Sequence, residues 1–196
     1  MTAVRALYDF LDMMAAERGA SVNTLAAYRR DLGDYCDHLA GNGISPLKAG
    51  AGDVRDYLVR LDAAGLKAAS AARKLSAIRQ FHGFLYRENH RSDDPTVTIA
   101  GPKRGRPLPK ILSAAEVERL LDVAAEGIED EARSFGERLA AARLSALLEL
   151  LYATGLRVSE LIALPAGAIR PGRDALMVRG KGNKERLVVL SPAAHA

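Results

Sequence analysis

Two short stretches hold side chains whose type and spacing suit chemistry on a phosphate. In LLELLYATGLRVSELIAL, residues 147–164, an apolar helix is predicted to end at Gly155, and Arg157 stands in the turn that opens the next helix. An arginine on such a rigid junction, beside backbone N–H groups left free by a helix start, favours a bound oxyanion. Glu160 follows one turn later and is placed to hold the guanidinium. The second stretch, GKGNKERLVVL at 180–190, puts Lys181 on a glycine-flanked loop able to approach a ligand closely. Neither stretch decides the chemistry alone.

Other chemistries find no support. GKGNK lacks the spacing and the following Ser or Thr of a phosphate-binding P-loop. His38, His82, His90 and His195 have no metal-ligand spacing, and the one cysteine, Cys36, has no partner, so neither a structural zinc nor an intrachain disulfide is expected. His82 sits among apolar residues and reads as packing. Nothing resembles a Gly-x-Ser-x-Gly nucleophile elbow.

At 196 residues, 48% hydrophobic and 27% charged, the chain can bury a core and is no disordered segment. No apolar run approaches the ~20 residues that cross a bilayer. Asp9 and Asp12 interrupt the first apolar stretch, which makes a poor signal peptide. The expectation is a soluble cytoplasmic protein without a membrane partner. Net charge is +4 with a pI near 9.3, and it is unevenly spread. Residues 1–110 hold 17 basic and 12 acidic side chains, against 11 and 12 in 111–196. Within 65–91, Lys67, Arg73, Lys74, Arg79, Arg87 and Arg91 face Glu88 as the only acid of that segment. Such a face suits a polyanion such as nucleic acid. A solvated helix face is the other reading, and charge density leaves both open.

The elements that must position these groups are mostly helical. Leu7, Phe10, Leu11 and Met14 recur at helical spacing in 4–18. Leu25, Tyr28, Leu32, Tyr35 and Leu39 do so in a second helix capped by Ser21 or Asn23 and ended by Gly41 or Gly43. A third helix is predicted after Asp53, with Val54, Tyr57, Leu58 and Leu61 inward. A fourth follows Ser70 and is predicted to bury Leu75, Ile78, Phe81, Leu85 and Tyr86. GPKRGRPLPK, 101–110, has three prolines and two glycines and reads as an extended linker. Its Lys103, Arg104, Arg106 and Lys110 either stay solvated or run along a phosphate backbone. Beyond it, Ser113 and Glu116 form a capping box for a helix to about Ala125. A second helix spans about Ala132 to Ala153, and VSELIAL begins a third. ALMVR and ERLVVL read as a hairpin around GKGNK, with AIR at 168–170 as a first strand of the same small sheet. SPAAHA starts a further helix, Ser191 as cap and Pro192 in its first position. The fold class is mainly α with a small β-hairpin or sheet. The domains are 1–100, a linker at 101–110, and 111–196.

ATGLRVSEL and GKGNKERLV, in this order and separation, resemble the tyrosine recombinases of the phage-integrase type. NTLAAYRRDL at 23–32, the basic helix ending FLYREN at 84–89, and DDPTVTIAGPKRGRPLPKILSAAEVERLL at 93–121 fit the same pattern. The resemblance to the bacterial Xer subfamily is particularly close, the D-type branch ahead of the C-type. The resemblance implies an N-terminal four-helix, SAM-like core-binding domain and an α+β catalytic domain that clamp duplex DNA.

It further implies that Arg157 is the first catalytic arginine, Lys181 the catalytic lysine, and Glu160 a support for the arginine. Arg29, Arg30, Arg73 and Arg79 become candidates to face DNA, with Lys103 and Arg104 in the linker. Tyr28 and Tyr35 fit the buried stripe better. The family breaks a DNA phosphodiester by attack of a tyrosine oxygen, giving a 3′-phosphotyrosine and a free 5′-hydroxyl without metal or nucleotide. Its tyrosine, its second arginine in His-x-x-Arg, and a further His or Trp lie downstream of the hairpin. Tyr8, Tyr28, Tyr35, Tyr57, Tyr86 and Tyr152 match none of these positions, and His195 has no His-x-x-Arg context. The catalytic domain is therefore expected to be truncated by on the order of 100 residues, and the chain inactive alone. The implied setting is chromosome-dimer resolution at cell division, in a tetramer with a paralogous recombinase on paired sites, with a DNA translocase as possible activator. A DNA-binding module without chemistry is the alternative, and a helical scaffold with no DNA role is the third.

Overall fold

A computed structural model describes residues 2–102, 111–165, 167–169, 175–180 and 184–190. Lys103, Arg104, most of the linker, Arg170, Lys181, and the helix start at Ser191 with His195 lie outside the described residues. The chain divides into two compact units, Met1–Pro107 and Leu108–Ala196.

The first unit holds four helices: α1 (Ala3–Ala16), α2 (Val22–Gly41), α3 (Ala51–Ala63) and α4 (Ala68–Arg87). The starts of α1, α2 and α3 are chemically marked, while α4 follows Lys67 without a side-chain cap. Thr2 accepts the N–H of Arg5 at 3.2 Å and Ser21 that of Thr24 at 3.3 Å. Asp53 caps from inside α3, accepting the Gly50 N–H at 2.7 Å. Phe10, Leu32, Tyr35, Leu39, Val54, Tyr57, Leu75, Ile78, Phe81 and Leu85 are fully buried between the four helices. Phe10 is central, its ring tilted or edge-on to Tyr28, Phe81 and Phe84 at 5.6–5.8 Å. Tyr86, expected inside, is half exposed, while Phe84 is buried. The reason is that α1 packs against α4 on the Phe84 side, so the buried arc turns away from Tyr86.

His82 is a satisfied core group, as its apolar setting suggested. Its Nε2 lies 2.9 Å from the Tyr35 hydroxyl and its Nδ1 2.9 Å from an Nη of Arg91. Arg91 only donates, so Nδ1 accepts and the proton sits on Nε2, which donates to Tyr35. Burial first, then the Arg91 charge, hold the His82 pKa down to about 4 from 6.5, against weaker opposing fields from Asp94 and Asp93. The unfolded chain therefore takes up a proton below pH 6.5 that the folded chain refuses until about pH 4. Stability is expected to be intact above this window and to fall by about 3 kcal/mol as pH drops through it. Urea unfolding of the native protein and His82→Gln between pH 7 and 4 checks this. The pH slope should flatten in the variant, and equal slopes would contradict it.

The second unit has α5 (Ala114–Ala125), α6 (Phe135–Thr154), α7 (Val158–Ile162), β1 (Ala175–Arg179) and β2 (Glu185–Val189). Capping boxes open the two long helices. Glu116 accepts the Ser113 N–H at 2.7 Å and Glu137 the Ser134 N–H at 2.9 Å, while each serine oxygen accepts in return. The strands pair antiparallel, Leu176 opposite Val188 and Val178 opposite Arg186. Leu176, Val178, Val188 and Leu190 turn inward onto Leu156 and Leu161. Ala168 and Ile169 are not a strand. The Ala168 N–H is spent on the Pro165 carbonyl at 2.9 Å, closing a turn, and the described sheet has two strands.

Candidate functional site

The junction between α6 and α7 is built to present Arg157. Gly155 takes the left-handed conformation at φ 60°, which a side chain would strain, and its N–H closes α6 on the Leu151 carbonyl at 2.9 Å. Leu156 plugs the small core. The next residue, Arg157, is extended, and its side chain is 60% exposed. Glu160, one turn into α7, is buried beneath it.

Glu160 organises the charges. Its Oε2 accepts the backbone N–H of Arg157 at 2.8 Å, and its Oε1 accepts Nη1 of the same arginine at 2.8 Å. Of the backbone N–H groups expected to be free for an anion at this helix start, that of Arg157 is therefore occupied. From β2, Arg186 donates Nη1 to Oε1 at 3.1 Å and Nη2 to Oε2 at 2.8 Å. These bonds, from Arg186 first and then the Arg157 backbone, hold the Glu160 pKa down to about 2, so the carboxylate stays ionised at neutral pH. Two guanidiniums share one carboxylate, and the arrangement keeps one net positive charge. Its accessible end is Arg157, suited to a phosphate oxygen.

Sequence reasoning missed Arg186. The available signal was the strand's period of two, which puts residue 186 on the inward face with Val188 and Leu190. A charge on an inward face needs a partner. Lys181 is outside the described residues, so the structure places Arg157 beside Glu160 and gives no geometry for the lysine.

In the first unit the expected arginines do not form one row. Arg29 lies over the Tyr8 ring at 5.5 Å, on the α1 side of α2. Arg30 is exposed on the outer face of α2. Arg73 pairs with Asp31 across α2 and α4, beside a groove of about 340 Å³ lined by Asn23, Thr24, Tyr28, Asp31, Arg73 and Ser76. Arg79 is exposed and donates to the Ile99 carbonyl. The basic segment 65–91 is also less free than its local composition suggests. Lys74 lies 2.8 Å from Asp34 and 3.6 Å from Asp31, both on α2, while Arg60 meets Asp34 at 2.7 Å. Although its burial opposes this, bonds from Lys74, Tyr57 and Arg60 hold the Asp34 pKa well below the usual carboxylate range. Arg91 is buried, donating to the Pro46 and Ala49 carbonyls. The cations left at the surface of α4 are Arg79 and Arg87, with Arg73 half exposed.

No described helix is long and apolar enough to cross a membrane. Residues 7–89 match the model of the phage integrase N-terminal SAM-like domain, and residues 110–196 match that of the phage integrase family. Tyrosine recombinase XerD of Bradyrhizobium diazoefficiens is 55% identical over 185 residues, covering 94% of this chain and 58% of that protein. Tyrosine recombinase XerD of Brucella suis is 52% identical over 194 residues, 99% of this chain and 62% of its own. The chain thus spans about three fifths of the length of these relatives. Among solved structures, a lambda integrase dimer bound to a COC′ core site has a TM-score of 0.68 at 21% identity, covering 96% of this chain and 49% of that one. The Tn1549 transposon integrase in complex with circular intermediate DNA has a TM-score of 0.68 at 15% identity, covering 100% and 62%. At such identities the likeness establishes the fold, mainly helical with a small sheet. Both family models and the half-identical relatives agree along nearly its whole length, and the chain belongs to the phage integrase family, the tyrosine recombinases.

Proposed function

We propose that these residues are part of a site-specific recombinase that cuts and rejoins duplex DNA through a 3′-phosphotyrosine. Chromosome-dimer resolution fits the relatives' name, and a paralogous recombinase in a tetramer on paired sites is the assembly proposed with it. One observation supports this reading above the others: an exposed Arg157 held by a buried, ionised Glu160 at a rigid junction. In this reading Arg157 stabilises negative charge on the non-bridging phosphate oxygens. Lys181 protonates the departing 5′-oxygen. Arg29, Arg30, Arg73 and Arg79, with Lys103 and Arg104 in the linker, contact the duplex backbone. Of these, Arg30 and Arg79 are the best placed, being exposed and clear of carboxylates. The tyrosine nucleophile is none of the six in this chain. Tyr35 and Tyr57 are fully buried, and burial pushes both hydroxyls up, away from the phenolate that attacks.

The 196-residue polypeptide is expected to bind duplex DNA with a log affinity that falls linearly with log salt, by about 0.9 per phosphate contact. A labelled duplex titrated at several salt concentrations tests this. Folded protein that fails to bind at low salt would overturn it.

A further inference from the structure

Arg186 has no place among the residues assigned so far, yet both its terminal nitrogens donate to one carboxylate. Its fork spans both oxygens of Glu160, at 3.1 and 2.8 Å, from a different element than Arg157. A bidentate guanidinium fixes a carboxylate in position and in plane, which a monodentate contact does not. Arg157 depends on that carboxylate through Nη1, at 2.8 Å to the same Oε1 that Arg186 holds. Arg186 has both terminal nitrogens turned onto Glu160, whereas the Arg157 side chain is 60% exposed. The two arginines are thus unequal: one faces inward to the carboxylate, the other outward.

Gly180 supplies a second, independent observation. A β-carbon there would lie 2.9 Å from Nη1 of Arg186 and 3.0 Å from Oε1 of Glu160, so that the ends of these two side chains would have to shift. Its N–H also closes the hairpin on the Lys184 carbonyl at 2.7 Å. The bare α-carbon leaves room for the pair at the point where the hairpin meets α7.

We propose that Arg186 is a positioning residue, clamping both oxygens of Glu160 so that the carboxylate orients the Arg157 guanidinium toward a DNA phosphate. The proposal rests on the reading of Arg157 as a phosphate contact, and the test separates the two. In the 196-residue polypeptide, nitrogen-15 relaxation of the Arg157 Nε–H reports its order without DNA. Salt titration of duplex binding then counts phosphate contacts. Arg186→Met should lower the Arg157 order while circular dichroism and the melting transition persist. Arg157→Ala and Arg186→Met should each reduce the salt slope by about 0.9, and the double variant by no more than Arg157→Ala alone. Gly180→Ala should lower the Arg157 order as well, with one added methyl and all charges kept, and it serves if Arg186→Met does not fold. Unchanged Arg157 order in a folded Arg186→Met or Gly180→Ala would overturn the clamp. A double variant that loses about twice the slope would overturn it too, since Arg186 would then touch phosphate itself. An Arg157→Ala slope equal to the native one would refute the phosphate reading alone, and the relaxation data would still decide the clamp.

Discussion

In a recombinase of the relatives' full length built on these residues, Arg157→Ala and Lys181→Ala should each slow strand cleavage by 100-fold or more, and for different reasons. Removal of a preorganised donor to a developing oxyanion costs roughly 100- to 1,000-fold, and loss of a general acid costs about 100- to 10,000-fold. A guanidinium does not release its proton near neutral pH, so Arg157 is expected to work through charge. An ammonium is a transferable proton on a flexible stem, so Lys181 is expected to work as the acid. A substrate with sulfur in place of the 5′-bridging oxygen separates the two, because a thiolate departs without a proton. Lys181→Ala should regain most of its lost rate on that substrate, and Arg157→Ala should stay slow. Equal rescue of both, or of neither, would show the labour to be divided otherwise.

What could be read from the chain divides along the range of the forces involved. Local signals held. Ser21 and Ser113 cap the helices they precede, Gly155 ends α6, and ALMVR and ERLVV pair across GKGNK. The Arg157–Glu160 contact was legible for the same reason, since three residues on one helical turn fix the geometry. Contacts between elements were not. Asp31 and Asp34 neutralise cations some 40 residues away on α4, so a charge count over 65–91 made that face more basic than it is. Arg186 reaches Glu160 across 26 positions, and only the alternation of its strand hinted that it faces inward. Tyr86 and Phe84 differ in burial because of where α1 lies, which the periodicity of α4 does not encode. AIR at 168–170 has strand-like residues, but the turn from Pro165 takes the Ala168 N–H that a ladder would need.

On the proposed reading, these residues supply the charge-stabilising part of a recombinase site whose nucleophile is none of Tyr8, Tyr28, Tyr35, Tyr57, Tyr86 and Tyr152. Tyr8, Tyr86 and Tyr152 are half or more exposed on α1, α4 and α6, all upstream of the hairpin, whereas the family resemblance puts the nucleophile downstream of it. Tyr28 packs on Phe10. Tyr35 shares its hydroxyl with His82, and Tyr57 donates to Asp34 at 2.7 Å. The expected effect is all or none, because without a nucleophile no covalent bond to DNA forms. The direct measurement incubates the 196-residue polypeptide with a nicked suicide duplex, in which a cleaved strand cannot be religated, and resolves the products by denaturing electrophoresis. Free protein and DNA strands with no new cleavage are expected; a protein–DNA band that disappears when one of the six tyrosines is changed to phenylalanine would contradict this.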